Sequence, residues 1–219
     1  MMPDLENAAL KAAETLIRHR VTSAPVVPMP VLKAFPGAVV VSFAELGQSI
    51  GLDRSHVLGS LVTEAHDAIT VFNEINGKPS YIVAYNQRLP FYMLQRALAR
   101  ELGHIVLGHD GTRPEDVRKQ EAITFALHFL CPRPLIHALR EAGVTLTVEL
   151  IGNITGCYER CLSGIKRTIG AHVPAELNRL IKDQFADYVE NLLDFLPILS
   201  TDDNSAIADF GTFMDNYAE

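Results

Sequence analysis

The sequence predicts an α+β fold, in which a small, roughly three-stranded sheet packs on a mostly helical body. Three short runs rich in β-branched residues are typical of strands, at 38–41, 68–72 and 81–84. The dipeptide Asn76-Gly77 lies between the last two runs and is typical of a tight turn, so these two strands are expected to form a hairpin. From Pro90 onward, apolar residues recur at helical spacing. The sheet is therefore expected only in the first half of the chain.

The residues before and between the strands predict short helices. Apolar residues at helical spacing over 4–20 predict a first helix, and three prolines within 22–30 predict an extended strap after it. The stretch 43–60 is expected to form one or two short helices, although its glycines leave the boundaries open. These elements and the helices that follow as far as residue 132 are predicted to form one domain, 1–132.

The second half of the chain is predicted to be helical. A helix over 94–109 comes first, and the capping-box spacing of Thr112 and Glu115 predicts a second helix from about Pro114 to Leu130. Further helices are expected near 134–142, 146–153, 156–168 and 174–196. They define a predicted C-terminal helical region, 133–219, packed on the first domain. Its polar end, 200–219, is expected to be a partly disordered or docked tail.

Composition excludes several classes of protein. The chain has 219 residues, 48% of them hydrophobic, and its 19 basic and 26 acidic residues give a net charge of −7. That balance argues against a broad nucleic-acid surface. No stretch approaches the roughly 18 uncharged apolar residues of a membrane span, and no signal peptide is recognisable, so a soluble cytoplasmic protein is expected. Cys131, Cys157 and Cys161 are too few for a disulfide framework.

The helix over 94–109 contains a variant of the zinc-peptidase motif HExxH, in the sequence Arg100-Glu101-Leu102-Gly103-His104. In the intact motif, two histidines one helical turn apart bind zinc, and the glutamate activates the attacking water. Here the glutamate and the second histidine are present, and Arg100 stands in place of the first histidine. Whether the chain can hold zinc depends on that one residue.

Three blocks of the sequence resemble the ImmA/IrrE family of bacterial zinc metallopeptidases. Residues 81–86 resemble the family's strand ending in asparagine, and residues 96–109 its active-site helix. Residues 121–132 are similar to its helix that begins with Glu-Ala and ends in a leucine-rich stretch before proline. The likeness is strongest over roughly 67–132. It implies a zincin-like active-site helix and a relation to enzymes that cleave transcriptional repressors encoded beside them on mobile elements.

The resemblance also implies roles for individual residues. Glu101 would be the general base, His104 the second zinc ligand and Glu121 the third. Asn86 would lie near a substrate groove. Arg100 falls where the first ligand belongs, and Ile123 falls where the family usually has asparagine. The second departure is minor, whereas the first removes a ligand.

Arginine at position 100 changes the expected chemistry. Its guanidinium stays protonated, so it donates no lone pair to a metal and repels a divalent cation. It could instead pair with Glu121 and take the place of the cation. The favoured hypothesis is a regulatory pseudopeptidase with zinc absent or weakly bound, whose cleft binds a repressor-like protein or an extended peptide.

Two alternatives belong to other classes. An active metalloendopeptidase would need a rebuilt zinc site, for which His109 and His128 are the candidate ligands. His109 points away from the zinc face unless the helix unwinds at Gly108, and His128 lies about 10 Å along the helix from Glu121. A DNA-binding protein is the other alternative, because 143–169 with Lys166 and Arg167 resembles a helix-turn-helix in outline. The acidic total argues against it.

Overall fold

The computed structural model of the protein describes residues 2–49, 67–144, 146–157 and 172–199. The chain divides into two compact units, one made of 1–12 with 28–126 and the other of 13–27 with 127–219. The predicted domain boundary after residue 132 stays a prediction. The predicted helix at 156–168, the tail at 200–219 and the larger part of the stretch 43–60 lie outside the described residues.

The first unit contains a three-stranded mixed sheet made of β1 (Ala38–Ser42), β2 (Ala68–Ile75) and β3 (Lys78–Tyr85). The strand order is β1-β3-β2, with β1 parallel and β2 antiparallel to the central β3. The predicted α+β class and the predicted hairpin are confirmed. β2 is an edge strand, and so is β1.

The hairpin turn follows from two residues. Ile75 pairs with Lys78, which leaves Asn76 and Gly77 as a two-residue loop with φ of 53° and 74°. Positive φ at both positions is the geometry of the type I′ turn, whose twist matches that of the flanking strands. Asparagine tolerates this backbone conformation and glycine has no side chain to oppose it.

The described part of this unit also contains helices. They are α1 (Leu5–Arg18), which continues into the second unit, α2 (Pro28–Ala34), α3 (Phe43–Ser49), α4 (Phe91–Val106) and α5 (Glu115–Leu130). The α3 helix begins with a capping box, in which the Ser42 amide donates to Glu45 Oε2 at 2.6 Å and the Glu45 amide donates to Ser42 Oγ at 3.1 Å. Val83 and Ala84 point to opposite faces of β3 and are both buried, whereas Ile82, on the same face as Ala84, is 39% exposed.

The second unit is helical. It contains α6 (Arg133–Glu141), α7 (Val148–Thr155), α8 (Ala175–Gln184) and α9 (Ala186–Leu199). The prediction of one helix over 174–196 is wrong in this respect, because the chain leaves helical geometry at Phe185, with φ −94° and ψ 4°, and starts again. The Phe185 side chain is fully buried, so packing holds the break.

One helical stretch is long and apolar enough to cross a membrane by composition alone. It covers Glu115–Glu141, and 78% of its apolar window is buried inside the protein. A helix buried to this extent is a core helix, which is consistent with a soluble protein.

Candidate active site

The α4 helix places the motif residues beside the core. Leu98 and Leu102 are fully buried, and Glu101 between the two motif positions is 4% exposed. Arg100 and His104 are half-buried on the neighbouring face, as residues one turn apart must be. The predicted arrangement of the helix, with the motif residues flanking the apolar stripe, is what the structure shows.

Gly103 allows α4 and α5 to approach closely. A Cβ built at this position would lie 3.1 Å from Phe125 Cδ1 and 3.2 Å from the Ala122 carbonyl oxygen. Any larger side chain would push the two helices apart at the level of the site. The glycine therefore brings the α4 motif near Glu121 on α5.

The end of α4 turns His109 back toward the motif. Gly108 adopts φ of +65°, the His109 amide donates to the His104 carbonyl at 2.9 Å, and the Gly108 amide donates to the Ile105 carbonyl at 3.1 Å. These two bonds and the left-handed glycine define a Schellman motif. The helix does unwind at Gly108, and this unwinding is what allows His109 to approach the site.

His104, His109 and Glu121 form a buried chain of hydrogen bonds. The two Nδ1 atoms of the histidines are 2.8 Å apart, and His109 Nε2 lies 3.0 Å from Glu121 Oε2. The His109 side chain is completely shielded from solvent. A carboxylate only accepts, so His109 Nε2 carries the proton and its Nδ1 accepts from His104 Nδ1. This assignment leaves the lone pair of His104 on Nε2.

Both histidines are neutral near pH 7. Burial is the largest of the causes that together lower the pKa of His104 to about 4, and the neighbouring His109 and Arg100 act in the same direction. Burial also lowers the pKa of His109, against the opposing effect of the hydrogen bond to Glu121. Neutral rings with one donor and one acceptor nitrogen each are what the chain of bonds requires.

The Glu121 carboxylate is saturated with donors. Arg113 binds it in bidentate fashion, with Nη1 to Oε2 and Nη2 to Oε1 at 2.8 Å each. The Asp4 amide donates to Oε1 at 2.7 Å, and His109 supplies the fourth contact. A carboxylate has about four lone-pair positions, and all of them are used. Glu121 itself is 1% exposed.

The predicted pairing of Arg100 with Glu121 is wrong. Arg100 Nε instead lies 3.2 Å from Glu101 Oε1, the carboxylate of its own neighbour. Its Nη2 makes a long contact of 3.5 Å with the Ala68 carbonyl at the start of β2. Arg113 takes the place on Glu121, because the loop before α5 carries its guanidinium to that carboxylate whereas the Arg100 side chain leads toward the sheet.

The side chains do not fit a zinc ion in this arrangement. Three ligands of a zinc site must direct lone pairs at one point. His104 and Glu121 are instead bridged by His109, both of whose ring nitrogens are used, and Arg113 occupies Glu121. Within the described residues, no group of three histidine, cysteine or acidic side chains is placed to hold a metal ion. The ligand roles of His104 and Glu121 and the general-base role of Glu101 stay predictions.

The other predicted residues have simpler surroundings. Asn86 closes a turn after β3: its Oδ1 accepts from the Arg88 amide at 3.0 Å, and its carbonyl accepts from the Leu89 amide at 3.3 Å. Its substrate-binding role stays a prediction. His128 is buried in the second unit, and Ile123 is 48% exposed.

Sequence reasoning missed Arg113 and the Asp4 amide. Neither stands at helical spacing from Glu121: Arg113 precedes α5, and Asp4 is 117 positions away. The available signal was weak, namely that a buried glutamate needs a cation and that Arg113 is among the cations near it in sequence. The backbone amide gave no signal at all.

Three features together define a metallopeptidase-like domain. They are a motif helix with an inward Glu101, a buried glutamate on the next helix and a small mixed sheet beside them. Residues 60–154 match the family described as the IrrE N-terminal-like domain. The chain therefore carries a domain of the ImmA/IrrE type, and the predicted resemblance is confirmed over this segment. Comparisons with curated proteins and with solved structures gave no match.

Proposed function

We propose that this protein is a regulatory pseudopeptidase, which binds a repressor-type protein in the cytoplasm through its metallopeptidase-like domain and does not cleave it. One observation carries the proposal. Arg100 stands at the first ligand position, and the predicted third ligand, Glu121, has all its lone pairs occupied by protein donors. A chain with this arrangement holds zinc weakly or not at all.

The loss of zinc removes the chemistry of the family. A bound zinc ion would supply the Lewis acid that lowers the pKa of a bound water to about 7. Glu101 alone has no such water to activate, and its side chain pairs with the Arg100 guanidinium 3.2 Å away. Hydrolysis by this route is therefore expected to fail.

The edge of the sheet supports binding of an extended segment of the partner. The Asn86 amide donates to the Asp67 carbonyl. In an antiparallel ladder the pairs alternate, so the backbone groups of Thr70 and Phe72 point outward from β2. Phe72 is 41% exposed and its neighbour Val71 is 50% exposed. Among the described residues no strand pairs with this outer edge of β2, and such an edge with apolar side chains suits a partner that adds a strand.

The metal content of the protein tests the loss of catalysis. The chain is purified without chelators or metal-affinity resin, and its zinc is measured by mass spectrometry alongside cleavage of a repressor encoded beside its gene. The expected result is far less than one zinc per chain and no cleavage. One zinc per chain, with cleavage that a chelator abolishes, would refute the proposal.

Binding of the same repressor tests the role of the edge strand. Phe72→Lys places a charge on the exposed edge and is expected to weaken binding about tenfold or more, as loss of a central apolar contact does. Leu180→Lys is the matched control, because Leu180 is 40% exposed on α8 in the other unit. Equal binding by both variants would show that the partner docks elsewhere.

An active metalloendopeptidase with a rebuilt zinc site is a second candidate, and the position of His109 favours it. His109 lies within hydrogen-bond distance of both His104 and Glu121, so small ring rotations would redirect its nitrogens. Under this alternative, the protein contains zinc and His109→Ala loses it. Under the pseudopeptidase proposal, the variant does not change the metal content.

A further inference from the structure

We propose that Arg113 is the resident cation of this site, and that it excludes metal independently of Arg100. This inference rests on the proposed function, since it concerns why the site lacks zinc. It assigns to Arg113 the role that the sequence led us to expect for Arg100. The structure supports it through geometry, through burial and through the way the loop holds the arginine.

The geometry is that of a cation bound to both oxygens of Glu121. The guanidinium makes two parallel hydrogen bonds of 2.8 Å to the two oxygens of Glu121. Such a bidentate pair neutralises the carboxylate and blocks both oxygens at once. A divalent ion would have to displace this cation and meet its repulsion at short range.

The burial of the pair favours its persistence. The Glu121 side chain is 2% exposed, whereas the Arg113 side chain is 33% exposed. The carboxylate therefore needs a permanent counter-charge, while the guanidinium reaches it from the surface. Removing the arginine would leave a buried carboxylate with two neutral donors, which is the state in which a cation binds best.

The loop before α5 holds Arg113 in place. Asp110 Oδ1 accepts from the Thr112 amide at 2.9 Å and from Thr112 Oγ1 at 2.7 Å. The Arg113 carbonyl accepts from Arg118 Nε at 3.0 Å. The predicted capping box of Thr112 and Glu115 is wrong, because α5 begins at Glu115 and Thr112 lies before the N-cap position. Arg113 is therefore presented to Glu121 by a pre-formed turn.

The consequence is a barrier made of two residues. Arg100→His restores the missing ligand of the motif, but it leaves Glu121 occupied by Arg113. We therefore expect that substitution alone to leave the protein without stoichiometric zinc. Adding Arg113→Gln, which keeps a side chain of moderate length but removes the charge, frees one lone pair on each Glu121 oxygen. We expect Glu121 to become available to a metal ion in that variant.

The experiment measures zinc per chain and zinc affinity in four proteins: the wild type, Arg100→His, Arg100→His with Arg113→Gln, and Arg100→His with Lys119→Ala. The last is a control, because Lys119 also acts on His104 through its charge but does not contact Glu121. The expected result is about one zinc per chain in the Arg113→Gln double variant alone, with an affinity at least tenfold above that of Arg100→His.

Each outcome decides the question. One zinc in the Arg100→His single variant would overturn the role of Arg113 and leave the pseudopeptidase proposal intact. One zinc in the wild type would refute the pseudopeptidase proposal itself. An equal gain in zinc affinity from Lys119→Ala would show that any loss of positive charge has this effect, which would overturn the inference. If the Arg113→Gln double variant is unstable, added zinc must raise its melting temperature, because a ligand of the folded state stabilises it; failure to do so overturns the inference.

Discussion

Removal of Arg113 tests the energetic importance of the buried pair with Glu121. Two charges about 4 Å apart at an effective dielectric constant near 20 attract by about 4 kcal/mol. The Arg113 side chain is one-third exposed, which lowers this figure, whereas the burial of Glu121 adds the penalty of an unpaired carboxylate. We expect Arg113→Ala to lower the free energy of unfolding by about 3 kcal/mol.

The assay is urea denaturation of four proteins: the wild type, Arg113→Ala, Glu121→Gln and the double variant. The double-mutant cycle isolates the interaction between the two side chains and is expected to give about 2 kcal/mol. Lys119→Ala is the control, because Lys119 pairs with Glu115 on the exposed surface and its removal should change the midpoint little. A loss in Arg113→Ala no larger than in the control would refute this reasoning.

Three further predictions concern the packing and titration of the site. Gly103→Ala places a Cβ 3.1 Å from Phe125 Cδ1 and is expected to lower the free energy of unfolding by about 1–3 kcal/mol. The same substitution should cost less when it is made in the Phe125→Leu variant. Equal costs in the two backgrounds would contradict the packing argument. Gly108→Ala forces alanine to φ of +65° with no contact of its Cβ within 4 Å, so backbone strain should lower the free energy of unfolding by about 1–2 kcal/mol. Gly108→Asn should lower it less. Folding lowers the pKa of His104 to about 4, so the unfolded chain takes up the proton first as the pH falls below about 6.5. Stability should therefore fall by up to about 3 kcal/mol between pH 6.5 and 4. His104→Asn should flatten this fall, and a urea midpoint that did not change with pH in the wild type would contradict the assignment.

The sequence by itself determined the features that depend on neighbouring residues. The Asn76-Gly77 dipeptide predicted the hairpin, because the turn requires positive φ at two consecutive positions. Helical periodicity predicted that Glu101 lies beside the buried stripe of α4, and motif order predicted the type of domain. Local sequence also held the signal for the Schellman turn at Gly108, since glycine favours the left-handed end of a helix.

Local patterns were less reliable where packing competes with them. The periodicity over 174–196 predicted one helix, yet the burial of Phe185 breaks it into two. The spacing of Thr112 and Glu115 predicted a capping box, but the helix begins at Glu115, which leaves Thr112 outside the N-cap position.

Only the tertiary structure decided which cation Glu121 accepts. Arg100 and Arg113 both carry a guanidinium of the right chemistry, and neither stands at a helical spacing from Glu121 that would distinguish it. The choice depends on the close approach of α4 and α5 at Gly103 and on the direction of the loop before α5. Those are long-range relations between rigid elements. Hydrogen bonds of 2.8 Å form only when such elements place their side chains with a precision of a few tenths of an ångström.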